Sequence, residues 1–255
     1  MKKKPSVTIM FPFLNDWGTV GSLVSLAIAT TMKYTDDWEV IIVNDGSVKT
    51  NKEALEMITG IVDRGKQIKI INHEKNRGYG GALRSGFAIA SKELIFYTDC
   101  DAQYDPRELS LLMEALDSAG DKENIGMING YKIKRNDPLH RIIAGRVYHY
   151  LVKTAFDLPI RDTDCDFRLI KKEVFNPSTG SGRKPVRLFE NTGTICTELV
   201  KKIDYQGYKI IEVPVHHFWR TSGKSQFFNF KRLYATGNNL LKLWWKLKIK
   251  KDYYH

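Results

Sequence analysis

Apolar residues recur along the chain in two patterns, short unbroken runs and runs with helical spacing, and for 130 residues the two alternate. VTIMFPF (7–13), WEVIIVND (38–45), QIKIINH (67–73), ELIFYTD (93–99) and IGMINGY (125–131) are continuous apolar segments bounded by turn residues, which predicts buried strands. Between them, Thr19 to Lys33, KEALEMITGIVD (52–63), GALRSGFAIAS (81–91) and PRELSLLMEALDSA (106–119) carry helical spacing, the last opening on Pro106 at a favoured first-turn position. Strands that are apolar throughout, rather than in alternation, belong to a parallel sheet covered on both faces. The second half predicts a helix over 139–156, a short strand in FRLIKKEVF (167–175), and a mobile, turn-rich basic loop at NPSTGSGRKP (176–185). A helix at TICTELVKKIDYQ (194–206) and a strand at KIIEVPV (209–215) follow. The fold class is therefore α/β, a mostly parallel sheet flanked by helices. In such sheets ligands bind beyond the carboxyl ends of the strands. Asp45, His73 and Asp99 end three of them and are expected to converge on one crevice.

Composition adds charge to this picture. The 255 residues are 42% hydrophobic, enough for a large core, and carry a net charge of +11. The excess is local. From Arg220 to His255 there are nine Lys and Arg against one acid, Asp252, so about +8 of the +11 lies there and an anionic partner is expected at that end. The three cysteines, Cys100, Cys165 and Cys196, form no CxxC pair and fit a reduced compartment. MKKKPSVTIMFPFL is too short and too broken by Pro12 to read as a signal peptide, and no stretch approaches the ~20 apolar residues of a spanning helix.

The chemistry concentrates at IFYTDCDAQYDP (95–106), where a core strand ends in Asp99, Asp101 and Asp105. Clustered carboxylates repel, which costs stability unless a cation binds there. Residues two apart point the same way, so Asp99 and Asp101 can face one hard dication, and Mg²⁺ fills its shell with phosphate oxygens. VNDGS (43–47) offers Asp45 to a base or a ribose, or is simply an Asp-Gly turn. NRGYGGALRSG (76–86) lacks the Gly-Lys-Ser/Thr of a P-loop. Its glycines permit close backbone approach ahead of a helix N-terminus that favours anions, and Arg77 and Arg84 add charge.

FPFLND (11–16), IIVNDGS (41–47), NRGYGGALRSGF (76–87), TDCDAQYDP (98–106), RDTDCDFRLI (161–170), ICTELV (195–200), GYKIIEVPV (207–215) and HFWRTSGKS (217–225) stand in an order that resembles family 2 glycosyltransferases. They are most similar to the branch that moves a sugar from a nucleotide onto a polyprenyl phosphate, the dolichyl-phosphate mannose synthase type. The resemblance implies a Rossmann-like GT-A fold and an inverting transfer of a hexose from a UDP- or GDP-linked donor. It implies that Pro12, Asn15, Asp45, Arg77 and Asp99 bind the donor, and that Asp99, Asp101 and Gln103 hold Mg²⁺ or Mn²⁺. Asp101 and Asp164 are the catalytic candidates. Arg168, Arg220, Lys224 and Ser225 would meet phosphates, with His140, Arg141 and Arg146 as substitutes on an acceptor helix whose usual Ser and Asn are missing. Asn15-Asp16 also replaces the commoner Asn-Glu.

A phosphate acceptor with a second pKa near ~6 is anionic at neutral pH and needs no base. A sugar-hydroxyl acceptor needs one, and Asp164 is the candidate. Residues 1–225 are expected to form the transferase domain and 226–255 a basic, aromatic, amphipathic tail that rests on an anionic membrane. Phe230, Leu233, Tyr234, Gly237, Leu241, Trp244 and Lys248 fall along one helical face of it, and Gly237-Asn238-Asn239 is a candidate break. The expected place is peripheral, on the cytoplasmic face. A nucleic-acid-binding protein is disfavoured because the crevice is acidic and no such motif occurs. A membrane-bound sensor of nucleotide sugars remains the non-enzyme alternative.

Overall fold

In a computed structural model, residues 4–63, 67–133, 139–220 and 230–254 are described, without the side chains of 139–144 and 230–233. Seven strands form one sheet, β1 (Val7–Phe13), β2 (Trp38–Asn44), β3 (Ile68–Asn72), β4 (Leu94–Thr98), β5 (Ile125–Lys132), β6 (Phe167–Lys171) and β7 (Lys209–Val215), in the order β3-β2-β1-β4-β6-β5-β7. β1 pairs in parallel with β2 and β4, β2 with β3, and β5 with β7. β6 runs antiparallel to both of its neighbours, β4 and β5.

Alternate residues of the central strands serve opposite faces, as the pleat requires. Ile9, Phe11, Ile42 and Phe96 point to the face covered by α1 (Trp17–Thr31), α2 (Lys49–Val62) and α4 (Leu109–Ser118). Met10, Ile41, Val43 and Tyr97 point to the other, covered by α3 (Tyr79–Ile89), α5 (Leu139–Phe156) and α6 (Ile195–Tyr205). α3 lies so close to the sheet that a β-carbon on Gly86 would stand 2.1 Å from Met10 Sδ. A larger residue there requires the Met10 side chain to move aside.

The tail departs from the expected pattern. α7 (Phe230–Trp244) runs unbroken through Gly237-Asn238-Asn239 and ends in a π-turn over Trp245–Ile249. Its inward seam is Leu240, Leu243, Trp244 and Leu247, with Leu243 and Leu247 wholly buried. Trp244 Nε1 donates to Ala155 O at 3.1 Å, Lys248 pairs with Asp157, and Tyr253 stacks on Tyr205 at 3.6 Å. Tyr234 and Leu241 point outward, because apolar residues occupy two sides of this helix and the side with Leu240, Leu243 and Leu247 takes the core. Among the described residues, no helix is long and apolar enough to cross a membrane.

Candidate active site

A crevice of about 740 Å³ opens beyond the carboxyl ends of β1, β2 and β4. Pro12, Asn15, Asp45, Asp99 and Asp101 line it, as do Thr192, Gly193 and Arg220. Ala235, Thr236 and Asn239 of α7 border the same space.

Asp45 is buried at the tip of β2. Its Oδ1 accepts from His73 Nδ1 at 2.7 Å and from the Arg77 backbone N–H at 2.8 Å, and Ser85 Oγ lies 2.9 Å from His73 Nε2. His73 thus steadies Asp45 rather than facing a ligand. Asn15 has a φ of 64°, and its Oδ1 accepts from Val48 N and Asn51 Nδ2. Those bonds tie the end of β1 to the start of α2, so Asn15 shapes the crevice wall while its amide oxygen is engaged elsewhere. Arg77 contributes its peptide N–H here, but its side chain lines a neighbouring groove with Arg84.

The glycines of NRGYGG admit protein rather than ligand. A β-carbon on Gly78 would stand 2.2 Å from Asn191 O, and one on Gly80 2.4 Å from Glu190 O. Gly80 N donates to Asn191 O at 3.0 Å. The segment 186–191 is therefore strapped across the start of α3. Tyr79, which sequence reasoning passed over, projects from that turn and donates to Asp99 Oδ1 at 2.8 Å.

Asp101 Oδ1 accepts from Gln103 N at 3.0 Å, and its Oδ2 lies 2.6 Å from Arg220 Nη2. Ala102 makes the tight turn between them with a φ of 59°, unusual for a residue with a β-carbon. The Gln103 amide donates to Phe218 O and accepts from Arg220. Thr19 at the start of α1 donates to Cys100 O, which pins the acidic loop from behind.

Asp166, not Asp164, is the member of RDTDCD that acts on this centre. It reaches Tyr97 OH at 3.4 Å, Cys196 Sγ at 3.0 Å and Arg168 Nη2 at 3.9 Å. Burial drives the Asp99 carboxyl well above its usual range, and the charges of Asp166 and Asp101 add to the rise. Burial also raises Asp101, with Arg220 pulling the other way, and burial followed by Asp101 raises Asp16. Asp164 is half-buried, its carbonyl accepts from Lys132 Nζ at 2.7 Å, and it does not line the crevice.

Arg168 corrects an expectation. It is wholly buried in β6, donating to Cys165 O at 3.0 Å and Thr163 O at 3.3 Å. It braces the acidic loop from inside and does not reach a phosphate at the surface. Arg146 is exposed on α5. The side chains of His140 and Arg141, and residues Lys224 and Ser225, lie outside the described residues.

Among the described residues no group of three carboxylate, histidine or cysteine side chains is placed to hold a metal ion, and Asp99 and Asp101 are the paired carboxylates that face the crevice. Asp99, Asp101 and Asp166 are mutually repelling and largely desolvated, and Arg220 is the cation that lowers both Asp99 and Asp101. Oxygen-only chemistry of this kind suits Mg²⁺ or Mn²⁺.

A mostly parallel α/β sheet with paired carboxylates at a strand tip defines a class of protein that binds its ligand beyond the carboxyl ends of the strands. The chain belongs to glycosyl transferase family 2, whose sequence model matches residues 8–177. It is 25% identical over 246 residues to glycosyltransferase AglD of Haloferax volcanii, covering 96% of this chain and 38% of that protein. It is 23% identical to the dodecaprenyl-phosphate galacturonate synthase of Rhizobium johnstonii, covering 87% of this chain and 61% of that one. It is also 23% identical to the undecaprenyl-phosphate 4-deoxy-4-formamido-L-arabinose transferase of an Enterobacter species, covering 89% and 64%. The chain thus spans between about two fifths and just under two thirds of these relatives' lengths. Among solved structures, glucosyl-3-phosphoglycerate synthase from Mycobacterium tuberculosis with Mn²⁺, UDP and glucosyl-3-phosphoglycerate superposes with a TM-score of 0.66. The identity is 14%, with 95% of this chain and 79% of that one covered. A complex of the same protein with Mg²⁺ and UDP also gives 0.66. The shared feature is the GT-A fold.

Proposed function

We propose that this protein transfers a hexose from a UDP- or GDP-linked donor to a polyprenyl phosphate, with inversion at the anomeric carbon. The observation that carries the reading is the carboxylate pair Asp99 and Asp101, raised by burial with Asp166 behind them and open to a crevice large enough for a nucleotide sugar. Two of the relatives are named for polyprenyl-phosphate products or acceptors, which supports the same acceptor class.

Asp45, held rigid by His73, is placed to accept a hydrogen bond from the base or ribose. A divalent ion held by Asp99 and Asp101 would neutralise charge on the departing diphosphate. Gln103 could join it only by giving up its bonds to Phe218 and Arg220. Arg220 supplies a second positive charge on the same side, suited to phosphate. The acceptor phosphate attacks as an anion and needs no proton removed. The geometry agrees with that economy. Asp164 does not line the crevice, and Asp166 is engaged by Tyr97, Cys196 and Arg168, which supports an acceptor that needs no base.

The membrane seat is broader than the tail alone. Val147, Tyr150 and Leu151 are exposed on α5, and Tyr234, Leu241, Trp245 and Ile249 on α7 and its π-turn. The Trp244–Ala155 bond and the Lys248–Asp157 pair join the two elements. With Lys242, Lys246 and Lys250 exposed beside them, these side chains support peripheral attachment to the anionic cytoplasmic face.

The test is a screen of UDP- and GDP-hexoses with Mn²⁺ and a short-chain polyprenyl phosphate, in which a lipid-linked sugar is expected. Transfer confined to hydroxyl acceptors would overturn the acceptor assignment.

A further inference from the structure

Back to back with the donor crevice lies a second cavity, of about 690 Å³, between α3 and the strap 186–191. Among the described residues four cations, Lys75, Arg77, Arg84 and Arg187, line it, and no carboxylate does. None of the four has an ion-pair partner among the described residues. Unpaired cations gathered around a concavity focus a positive field into it. Its walls also carry Phe87, Phe175, Val186 and Leu188, and the two phenylalanine rings stack at 4.9 Å.

The cavity is built on fixed parts. Arg84 Nη1 donates to Phe189 O at 3.1 Å and to Asn191 Oδ1 at 2.9 Å, which holds the guanidinium at the edge of the strap. The strap is anchored from behind by a wholly buried pair on α6. Glu198 accepts from the Phe189 and Glu190 backbone N–H groups, and Lys202 donates to Arg187 O at 2.6 Å. A site whose walls are pre-ordered loses little entropy when it fills.

We infer that this groove binds a phosphate-bearing ligand with an apolar body, the phosphate meeting Lys75, Arg77, Arg84 and Arg187 and the body lying against Phe87, Phe175 and Leu188. Two sources share that chemistry, an anionic phospholipid and a soluble organic phosphate. The site is separate from the donor crevice, whose lining is acidic. It is nonetheless joined to it. Asn76 lines both cavities, and Asn191 faces the groove while its carbonyl holds Gly80 N. A ligand that grips the strap and the first turns of α3 therefore changes donor affinity.

The test compares wild type with Lys75→Gln/Arg187→Gln, which leaves the donor crevice untouched. Calorimetric titration with pyrophosphate, with UDP saturating and no divalent ion present, probes the soluble source. Co-sedimentation with phosphatidylglycerol vesicles probes the lipid source. A second pair, Lys49→Gln/Lys52→Gln, removes the same charge from α2 as a control. The double variant is expected to lose about tenfold in affinity for one of the two probes, the scale of deleting charge-assisted contacts, while the control and UDP binding stay as in wild type. Loss on pyrophosphate assigns a soluble phosphate, and loss on vesicles alone assigns a lipid headgroup. An unchanged response to both probes, or an equal loss in the control, overturns the inference.

Discussion

Arg220 Nη2 rests 2.6 Å from Asp101 Oδ2, so a guanidinium already occupies part of the electrostatic niche in which a divalent cation would act. It is a competitor for the bare site and a helper once a diphosphate supplies its own negative charge. Arg220→Gln is therefore expected to tighten Mn²⁺ binding in the absence of nucleotide while lowering transfer by about 100-fold. Paramagnetic resonance titration of Mn²⁺ separates the two effects. Mn²⁺ affinity unchanged by the substitution would remove the competition from the account.

Asp99 carries the largest cost of the site. Its folded pKa is raised by burial, Asp166 and Asp101, so its ionised form destabilises the fold. For an acid so raised, the penalty is absent below the unfolded value near ~3.9 and grows as pH rises above it. Asp99→Asn is expected to melt a few degrees higher than wild type in chelator at pH 7, with the gap closing as pH falls toward ~4. Scanning calorimetry across pH checks it, and transfer by the same variant should be nearly abolished.

Gly80→Ala tests the strap. The added carbon meets Glu190 O at 2.4 Å, backbone against backbone, so 190–191 must move. Donor KM should rise by about tenfold with a smaller change in kcat, since the displaced Thr192 and Gly193 line the crevice. Steady-state kinetics with varied nucleotide sugar reads the split. Equal donor KM would show the strap to be slack.

Glu39 supplies a pH response far from the site. It accepts from Thr8 Oγ1, Ser91 N, Ser91 Oγ and Lys69 Nζ, and although burial opposes ionisation, these donors bring its pKa down to about 2. A depressed acid stabilises above its unfolded pKa, and that contribution is lost as pH falls through the folded one. Glu39→Gln should melt about 5 °C lower at neutral pH. The difference should shrink between pH ~4.5 and pH 2. A constant difference across that window would contradict the assignment.

The tail separates attachment from stability. Leu247 is wholly buried, so Leu247→Ala should cost about 2–5 kcal/mol of stability. Leu241 and Trp245 are exposed, so Leu241→Ala/Trp245→Ala should leave the melting temperature alone and weaken binding to anionic vesicles at every salt concentration. Vesicle co-sedimentation with parallel melting curves decides it. Undiminished sedimentation of the double variant would remove these side chains from the membrane face.

What the sequence disclosed follows from range. The strands through residue 131 announce themselves because each is a local apolar run, and Asp45, Asp99 and Asp101 can be placed on their tips by counting. Sheet order is another matter. That β6 is inserted antiparallel between β4 and β5 depends on pairings such as Phe96 with Leu169, far apart in the chain, which periodicity does not record. Arg168 looks like a surface cation in sequence, since the carbonyls of Thr163 and Cys165 that make its burial tolerable are invisible there. Gly78 and Gly80 were legible as sites of close approach, but not the identity of what approaches. The folded-back helix was unreadable for a related reason. With leucine and tryptophan on two sides of α7, composition alone does not say which side takes the core.

The reversed course of β6 has a consequence for how such a chain can change. Because β6 begins where β4 and β5 end, the 161–166 loop from the second half of the chain comes to lie behind the tip of β4, while the carboxylate-bearing strand tips all come from the first. The crevice is therefore split like a two-part tool, with Asp45, Asp99 and Asp101 written before residue 106 and Thr192, Gly193 and Arg220 written after residue 132. Insertions or exchanges within 133–166 alter the second half of the chain without disturbing a single strand pairing among β1, β2, β3 and β4. One scaffold can thus vary the second half of its chain while inheriting intact the strand tips that carry Asp45, Asp99 and Asp101.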